Sequence, residues 1–455
     1  MPTERTGPRH PLRELARTSP ARASALVFVI AAALFSGLLA LPISTDDPRG
    51  TPLIDAIFTG VSAVTVTGLT TLDTATHWSL FGQIVILLGI QVGGLGIVTI
   101  ALLLARAVTR HLGVQSKVFA QQSIGTSKLG EVGTLLRIVV LTTLAIEGAL
   151  FVLLLPPFLL VEDTWWEGAG NALFYAVSSF NNAGFSVHTG GLEPLAGNLF
   201  IIAPIALGVF VGSFGFPVFL TLIIQRWHRR RWTLHTKLTL SVTTTLLVLG
   251  AIGWGASEWN NPGTIGGENP LDKIIHAVFA STMMRSGGFA LTDTSASSSV
   301  TLLLTDALMF VGGGSASTAG GIKVTTVAVL FLAIIAEARG DKDVRVAGRS
   351  IPSESLRVAI SVVFLGATLV LVATTLILAS NPALSLERVL FEVISAFATC
   401  GLSVGLSAEL DGFGKIVLSL IMLAGRIGPI GLAAALALKQ RNLFYNLPEE
   451  RPIIG

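Results

Sequence analysis

Apolar runs of two lengths alternate along this chain, and the alternation limits its fold more than any other feature. A helix that crosses a bilayer needs about 20 apolar residues, whereas about 10–14 indicate a re-entrant or buried segment. Eight runs have the crossing length, at about 25–43, 80–105, 134–160, 197–225, 235–257, 298–336, 355–380 and 414–438. Between the members of each pair lies a shorter apolar segment, at about 52–64, 169–180, 270–282 and 386–398. The pattern predicts four repeats of helix, re-entrant pore helix, turn and helix.

The composition agrees with a membrane protein along its whole length. The chain is 51% hydrophobic and 13% charged, with a mean hydropathy of +0.74, whereas ordinary soluble domains are roughly 25% charged. We therefore predict an all-α, polytopic membrane protein and exclude a soluble one. The net charge of +3 reflects basic loops, so no nucleic-acid partner is expected. The single cysteine, Cys400, excludes a disulfide within the chain.

The positions of Lys and Arg predict the orientation in the membrane. Of the 30, 23 fall in an N-terminal arm, in three linking loops and in the C-terminal tail. Cytoplasmic loops carry an excess of these residues, so both termini are predicted to be cytoplasmic. The predicted divisions are a basic arm (1–23), four repeats (24–107, 133–228, 233–338 and 354–440) and a tail (441–455).

Each short segment is followed by a turn that ends in glycine and a large apolar residue. We number these turns 1 to 4 along the chain: TVTGL (65–69), NNAGF (181–185), RSGGF (285–289) and ATCGL (398–402). Non-helical backbone at membrane depth must be buried in protein or line a wet cavity, and glycine lets the backbone turn sharply. Four turns around one axis can replace the water shell of a cation with carbonyl oxygens, as in potassium channels. The alternative is that the glycines merely cap buried helices.

The filter hypothesis assigns coordination of the cation to backbone carbonyls rather than to side chains, and Cys400 then serves as a small filler rather than a metal ligand. The predicted filter residues are Thr65, Val66, Thr67, Gly68, Asn182, Ala183, Gly184, Ser286, Gly287, Gly288, Thr399, Cys400 and Gly401.

A glycine-rich stretch, FVGGGSASTAGGIK (310–323), interrupts the second long run of repeat 3. Its glycines, with Ser and Thr, predict local unwinding of a membrane helix. Unwound backbone needs a wet cavity, which places the stretch across the pore beneath the filter. The alternative is a small-residue seam for close helix packing.

These motifs resemble those of the Trk/Ktr/HKT superfamily of potassium-translocating membrane proteins over about residues 24–440. The resemblance is carried by VTGLT (66–70), GGLGI (93–97), FNNAGFS (180–186), SGGF (286–289), STAGGIK (317–323), ATCGLS (398–403) and GRIGP (425–429). One spanning helix precedes turn 1, which resembles the Ktr membrane subunit. Ser315 and Ala316 stand where relatives often have Pro and Gly, a departure that predicts a stiffer loop.

The resemblance implies potassium uptake across a bacterial plasma membrane, gated by an intramembrane loop at 312–321. It also implies a homodimer on a separately encoded cytosolic ring of nucleotide-binding regulatory subunits. Na⁺ is a candidate activator, and no covalent cofactor is expected. The predicted gate residues are Gly312, Gly313, Gly314, Ser317, Thr318, Gly320, Gly321, Lys323 and Arg426.

Arg426 lies deep in the last apolar run, where an unpaired charge costs at least ~2.5–3.5 kcal/mol. We predict that it faces the cavity inside the filter, as the resemblance also implies, and repels K⁺ there. The alternative is a structural ion pair with Glu147 or Asp306, which are themselves candidate functional groups. Lys323 is expected either to reach the cytoplasmic interface or to bond to loop carbonyls.

Three further expectations concern polar residues near the turns and loops. Arg285 is predicted to brace turn 3 from behind, with a carboxylate such as Glu392 as its partner, and His188 to lie on the outer vestibule. The basic and aromatic cluster at 226–232 suits a membrane-interface anchor or, alternatively, a docking site.

Other functions fit less well. The sequence has no Walker motif and no nucleotide-binding domain, so it is not an ATPase. A secondary cotransporter with a substrate site at the broken helix (312–321) is the alternative, but inverted repeats would place half of the turns on the other side. A membrane-embedded enzyme would need a catalytic Ser-His-Asp set or a metal-ligand cluster, and neither pattern occurs.

Overall fold

The computed structural model describes residues 20–111, 132–225, 228–341 and 343–428. Most of the predicted basic arm, the tail at 441–455 and the last part of repeat 4 lie outside the described residues. So do positions 226–227 of the basic and aromatic cluster, Pro429 of the GRIGP motif and the loop at 112–131.

The described residues are mostly helical, as predicted. The helices are α1 (Pro20–Leu39), α2 (Leu53–Thr65), α3 (Leu80–His111), α4 (Val132–Val161), α5 (Trp165–Phe180), α6 (Leu199–Gly212), α7 (Phe216–Gln225), α8 (Leu234–Glu258), α9 (Pro270–Met283), α10 (Ser299–Phe310), α11 (Val324–Ala338), α12 (Ser353–Ser380), α13 (Leu386–Ala398), α14 (Leu406–Glu409) and α15 (Gly412–Ile427). Short 3₁₀ turns lie at Pro42–Ser44, Glu193–Leu195, Arg229–Arg231 and Thr294–Ala296.

The four short apolar segments each form one helix, namely α2, α5, α9 and α13. Local sequence explains where three of them start: Thr164 and Ser385 accept hydrogen bonds from backbone N–H groups in the first turns of α5 and α13, and Pro270 opens α9. Such caps satisfy orphan donors, and proline fits the first helical position. These helices are too short to cross a bilayer.

Length and composition qualify three described segments as candidate membrane spans: Val139–Val161, Leu234–Glu258 and Ser353–Ser380. The long helices also expose large apolar side chains, such as Phe364 at 74% and Leu160 at 87%. Exposed apolar surface on this scale is typical of a face covered by lipid or by another protein.

The single span predicted at 197–225 is wrong in one respect. The structure divides it into α6 and α7, which are bent by 93° at residues 213–215. Gly215 has φ +86°, a conformation that glycine adopts without steric cost. The interruption predicted in repeat 3 is observed, because residues 311–323 between α10 and α11 are not helical. This also excludes the alternative of a small-residue seam in a continuous helix.

A two-stranded antiparallel hairpin, β1 (Val344–Val346) and β2 (Arg349–Ile351), joins α11 to α12 and departs from the all-α prediction. Its two-residue turn, Ala347 and Gly348, has positive φ at both positions, as a type I′ turn requires.

An ion pair joins the first and last repeats. Lys415 Nζ, in the first turn of α15, lies 2.7 Å from Asp55 Oδ1 in the first turn of α2. Both side chains are mostly buried. Residues 360 positions apart in the sequence are thus held together at the N-terminal ends of α2 and α15.

Candidate functional site

The four turns meet in a closed ring. A Cβ atom on Gly68 would lie 2.1 Å from the carbonyl oxygen of Ala183, and one on Gly184 would lie 2.8 Å from Gly288 Cα. The ring continues because a Cβ on Gly288 would lie 2.5 Å from Cys400 O. It closes because a Cβ on Gly401 would lie 2.3 Å from Thr67 O. The glycine of each turn therefore packs against the backbone of the next turn, with no room for a side chain.

The turns share one backbone conformation. The second residue of each has positive φ: Val66 (56°), Asn182 (60°), Ser286 (81°) and Thr399 (45°). The glycine two positions later also has positive φ, between 71° and 96°. Positive φ is rare for β-branched residues such as Val66 and Thr399, and such strain concentrates at functional sites.

This conformation shows that the glycines are not helix caps. In turn 1 the N–H of Val66 donates to Ala63 O at 3.0 Å and that of Thr67 donates to Ser62 O at 2.8 Å. Turn 4 repeats the pattern with Thr399 to Ala396 O and Cys400 to Ser395 O. These bonds form a Schellman motif in which a residue other than glycine takes the left-handed position. The ring glycines are therefore needed for the close packing between turns, and not for ending the helices.

Serines on the short helices hold the turns, and the sequence analysis did not single them out. Ser62 Oγ accepts from Gly68 N at 3.1 Å, and Ser395 Oγ accepts from Gly401 N at the same distance. In turn 2, Ser178 Oγ donates to Phe185 O at 3.0 Å. The signal in the sequence is a Ser or Thr six residues before each ring glycine: Ser62, Ser178, Thr282 and Ser395.

The interrupted stretch at 311–323, here called the loop, packs directly against the ring. Thr318 Oγ1 lies within hydrogen-bond distance of Asn182 Oδ1 (3.1 Å) and of Gly212 O (3.0 Å). A Cβ on Gly320 would lie 2.1 Å from Thr399 Oγ1. The loop therefore contacts turns 2 and 4 at buried positions.

The loop also contacts the bend between α6 and α7. Gly314 N donates to Ser213 O at 2.8 Å, and Phe216 N donates to Ala316 O at 3.1 Å. Within the loop, Gly312 packs on Gly320, and Val324 N at the start of α11 donates to Gly313 O. The bend thus supplies the polar backbone partners that a non-helical segment needs when it is buried.

The side chain of Arg426 contacts the backbone of the loop. Its Nη1 donates to Thr318 O, and its Nη2 donates to Gly93 O at 3.1 Å. The side chain is buried. Neither Glu147 nor Asp306 lies within the 4.0 Å of a salt bridge, so the alternative of a structural ion pair is wrong.

Of the two alternatives predicted for Lys323, the structure shows the second, in which the side chain bonds to loop carbonyls. Its Nζ donates to Ala319 O at 2.5 Å and lies 3.4 Å from Gly320 O. Both acceptors belong to the loop, so the ammonium group caps freed carbonyls instead of reaching the cytoplasmic interface.

The predicted contact between Arg285 and Glu392 is wrong. The Arg285 guanidinium is buried, and its Nε and Nη1 have no hydrogen-bond partner among the residues that the structure describes. Glu392 instead accepts from Ser403 Oγ at 2.7 Å, from Val404 N at 3.3 Å and from both donors of Ser407. These donors follow turn 4 directly, so the carboxylate holds the chain that leaves that turn.

Glu147 lies behind turn 2. It accepts from Asn181 Nδ2 at 2.9 Å and from Gln91 Nε2 at 3.1 Å. Asp306 is also buried, and within the described part of the chain its Oδ1 has no hydrogen-bond partner. The two candidate carboxylates are therefore not brought together with the loop or with Arg426.

His188 lies in the segment that leaves turn 2. Its Nδ1 is 2.7 Å from Tyr175 Oη, and its Nε2 is 2.9 Å from Glu162 Oε1. Cys400 is buried, and its Sγ faces the carbonyl oxygens of Met283 and Met284 at 3.4 and 3.7 Å. In the described parts of the chain, no group of three His, Cys, Asp or Glu side chains could hold a metal ion.

The chain is similar in sequence and in fold to known proteins. The family described as "Cation transport protein", TrkH, matches residues 7–445. Ktr system potassium uptake protein B of Bacillus subtilis is 35% identical over 430 residues, which are 94% of this chain and 96% of the relative. Potassium/sodium uptake protein NtpJ of Enterococcus hirae is 32% identical over 449 residues, 96% of this chain and 98% of that one.

A solved structure has the same fold. The potassium transporter TrkH from Vibrio parahaemolyticus superposes with a TM-score of 0.71 at 19% identity, covering 96% of this chain and 86% of that one. The family and the relatives confirm the resemblance carried by the turn motifs. The chain therefore belongs to the TrkH family of cation transport proteins, which are membrane transporters and not enzymes.

Proposed function

We propose that the chain is the translocating subunit of a potassium uptake system and conducts K⁺ through the ring of four turns. The observation that carries the proposal is the closed contact of Gly68, Gly184, Gly288 and Gly401, each against the next turn. Relatives that are named for potassium uptake support K⁺ as the conducted ion. Na⁺ is proposed as an activator, since one relative is named for potassium and sodium uptake.

The chemistry of the ring suits a dehydrated cation. The thirteen predicted filter residues lie on the four turns, and their backbone carbonyls are the proposed ligands of K⁺. The short helices α2, α5, α9 and α13 all end at the ring. The C-terminal end of a helix carries about half a negative charge, so four such ends favour a cation there. Serines such as Ser62 and Ser395 hold the glycines in place, which keeps the carbonyls preorganised.

The loop and Arg426 form the proposed gate. The guanidinium is buried against the loop, so a fixed positive charge would stand next to the path of K⁺ and oppose its passage. Passage requires the loop to leave its contacts with the turns and with Arg426. The gate residues Gly312, Gly313, Gly314, Gly320 and Gly321 have no side chains, which gives the loop the backbone freedom that such a movement needs.

The assembly and its location follow from the family and from the charges. We propose a homodimer in a bacterial plasma membrane, with both termini cytoplasmic. A separately encoded cytosolic ring of nucleotide-binding subunits would regulate it. The unequal distribution of Lys and Arg supports this orientation. No covalent cofactor and no nucleic-acid partner belong to the proposal.

One observation favours the alternative of a secondary cotransporter. The break at 311–323 faces the break between α6 and α7, and paired broken helices form substrate sites in cotransporters. The two mechanisms differ in coupling: a pore passes K⁺ down its gradient alone, whereas a cotransporter needs the gradient of a second ion.

The experiment is ion flux in liposomes that contain the purified full-length chain. With only a K⁺ gradient imposed, the proposal predicts K⁺ and Rb⁺ flux that exceeds Na⁺ flux. Flux that occurs only when Na⁺ or H⁺ moves in a fixed ratio would favour the cotransporter. Absence of K⁺ flux with and without Na⁺, ATP or ADP would contradict the proposed function.

A further inference from the structure

The hydroxyl of Ser286 joins the loop to the ring. Ser286 Oγ accepts a hydrogen bond from Gly320 N at 3.2 Å and donates one to Thr399 O at 2.9 Å. All three residues are buried, so water does not compete for these groups. A single side chain in turn 3 thus connects the loop with a carbonyl of turn 4.

Packing holds this bridge in place. Ser286 keeps its positive φ of 81° in a turn where Gly287 N donates to Met283 O at 2.8 Å. Gly320 has no free space toward turn 4, since a Cβ there would lie 2.1 Å from Thr399 Oγ1 and 2.8 Å from Ala398 O. The loop therefore cannot move at Gly320 without changing its contacts with Ser286 and Thr399.

The two hydrogen bonds affect each other. A hydroxyl that accepts a hydrogen bond becomes a stronger donor, because linked hydrogen bonds polarise one another. With the loop in place, Gly320 N–H strengthens the bond from Ser286 to Thr399 O. That carbonyl then shares its electron density between the hydroxyl and any cation in the ring. When the loop leaves, the bond from Ser286 weakens and Thr399 O can face K⁺ more fully.

We propose that Ser286 is a positioning residue whose hydroxyl couples the loop to the K⁺ site at turn 4. This rests on the proposed function, in which the turns bind K⁺ and the loop gates. Coupling between two sites is reciprocal. A loop that competes with K⁺ for Thr399 O must therefore be loosened when K⁺ occupies the ring.

The test is amide hydrogen exchange of the full-length chain in lipid nanodiscs, measured on peptides that contain Gly320 with K⁺ or with choline. In the wild type, K⁺ should speed exchange at Gly320 about fivefold, as expected for the net strength of one hydrogen bond. An unchanged or slower rate in K⁺ would overturn the proposal.

Ser286→Gly removes the hydroxyl and suits the positive φ, so the turn should keep its shape. In this variant, amide exchange at Gly320 in choline should already be as fast as in the wild type in K⁺, and K⁺ should not speed it further. Ser286→Thr returns a hydroxyl and should restore the effect, because Thr399 holds the same conformation at the equivalent position of turn 4. A K⁺ effect in Ser286→Gly as large as in the wild type would overturn the proposal.

Ser361→Ala is the matched control. Ser361 is exposed on α12, outside the ring and the loop, and its Oγ donates to Arg357 O at 2.8 Å, so its loss should leave the K⁺ effect intact. Flux in liposomes is measured in parallel. A wild type that passes no K⁺ contradicts the proposed function, whereas one that passes K⁺ without a K⁺ effect at Gly320 contradicts the coupling alone.

Discussion

Arg426 donates from Nη1 to the backbone carbonyl of Thr318, a residue 108 positions earlier, and so binds the last described helix to the loop. The acceptor is a carbonyl rather than a carboxylate. The positive charge of the guanidinium is therefore not compensated by a negative charge beside the loop. A carboxylate partner such as Glu147 would have compensated it, which is why the choice of partner matters for the proposed gate.

The first prediction concerns this contact. Arg426→Gln removes the charge and at least one of the two carbonyl contacts, so the loop should leave its position more often. Hydrogen bonds to charged groups contribute about 1.5–3 kcal/mol, and we expect Rb⁺ flux without regulatory subunits to rise about tenfold or more. Rb⁺ uptake into liposomes measures this.

The control for that prediction is Arg388→Gln. Arg388 is paired with Glu409 at 2.8 Å, partly exposed and away from the loop, so flux should stay near the wild-type value. An unchanged flux in Arg426→Gln would contradict the role of Arg426 in the gate.

The second prediction concerns the ring. Gly288→Ser places a Cβ within 2.5 Å of Cys400 O and forces a side chain into positive φ. The carbonyls of turns 3 and 4 must shift, so the preference for K⁺ over Na⁺ should fall. Paired K⁺ and Na⁺ flux in liposomes gives the ratio.

Gly170→Ser is the matched control for the ring. Gly170 lies on α5 with open space around it and an ordinary φ, so its ratio should equal that of the wild type. If Gly288→Ser kept the wild-type ratio while folding normally, turn 3 would not belong to the filter.

The third prediction concerns the ion pair that joins the first and last repeats. Lys415→Met leaves Asp55 mostly buried without its partner, and such a change typically costs about 3–5 kcal/mol. Because Asp55→Asn in the same chain removes the stranded charge, the double variant should recover much of this loss. The unfolding temperatures of the single variant and the double variant, measured in detergent, test this prediction.

An exposed ion pair provides the control. Arg49 lies 3.6 Å from Asp47 and is 92% exposed, so Arg49→Met should change the unfolding temperature little. Equal destabilisation by Lys415→Met and Arg49→Met would contradict a structural role for the buried pair.

The sequence predicted the parts of the fold that local composition determines. The four short helices and the four glycine turns carry their own signals, namely segment length and a repeated pattern ending in Gly68, Gly184, Gly288 and Gly401. The break at 311–323 was predictable because its glycines weaken a helix wherever they stand.

The partners of polar groups were not predictable, because they depend on tertiary packing. Arg426 binds backbone carbonyls of Thr318 and Gly93, and a carbonyl has no signature in the sequence. Glu392 finds Ser403 and Ser407 just after turn 4 instead of Arg285. The bend at Gly215 was missed because the apolar run continues through it without a break in hydropathy.

The most direct test of the central claim is to locate the ion. Crystals of the full-length chain grown in Rb⁺ would be measured at the rubidium absorption edge. The proposal predicts an anomalous peak on the axis of the ring, surrounded by backbone carbonyl oxygens of all four turns. A peak at the loop (311–323) with none in the ring would contradict it and favour a substrate site at the broken helix.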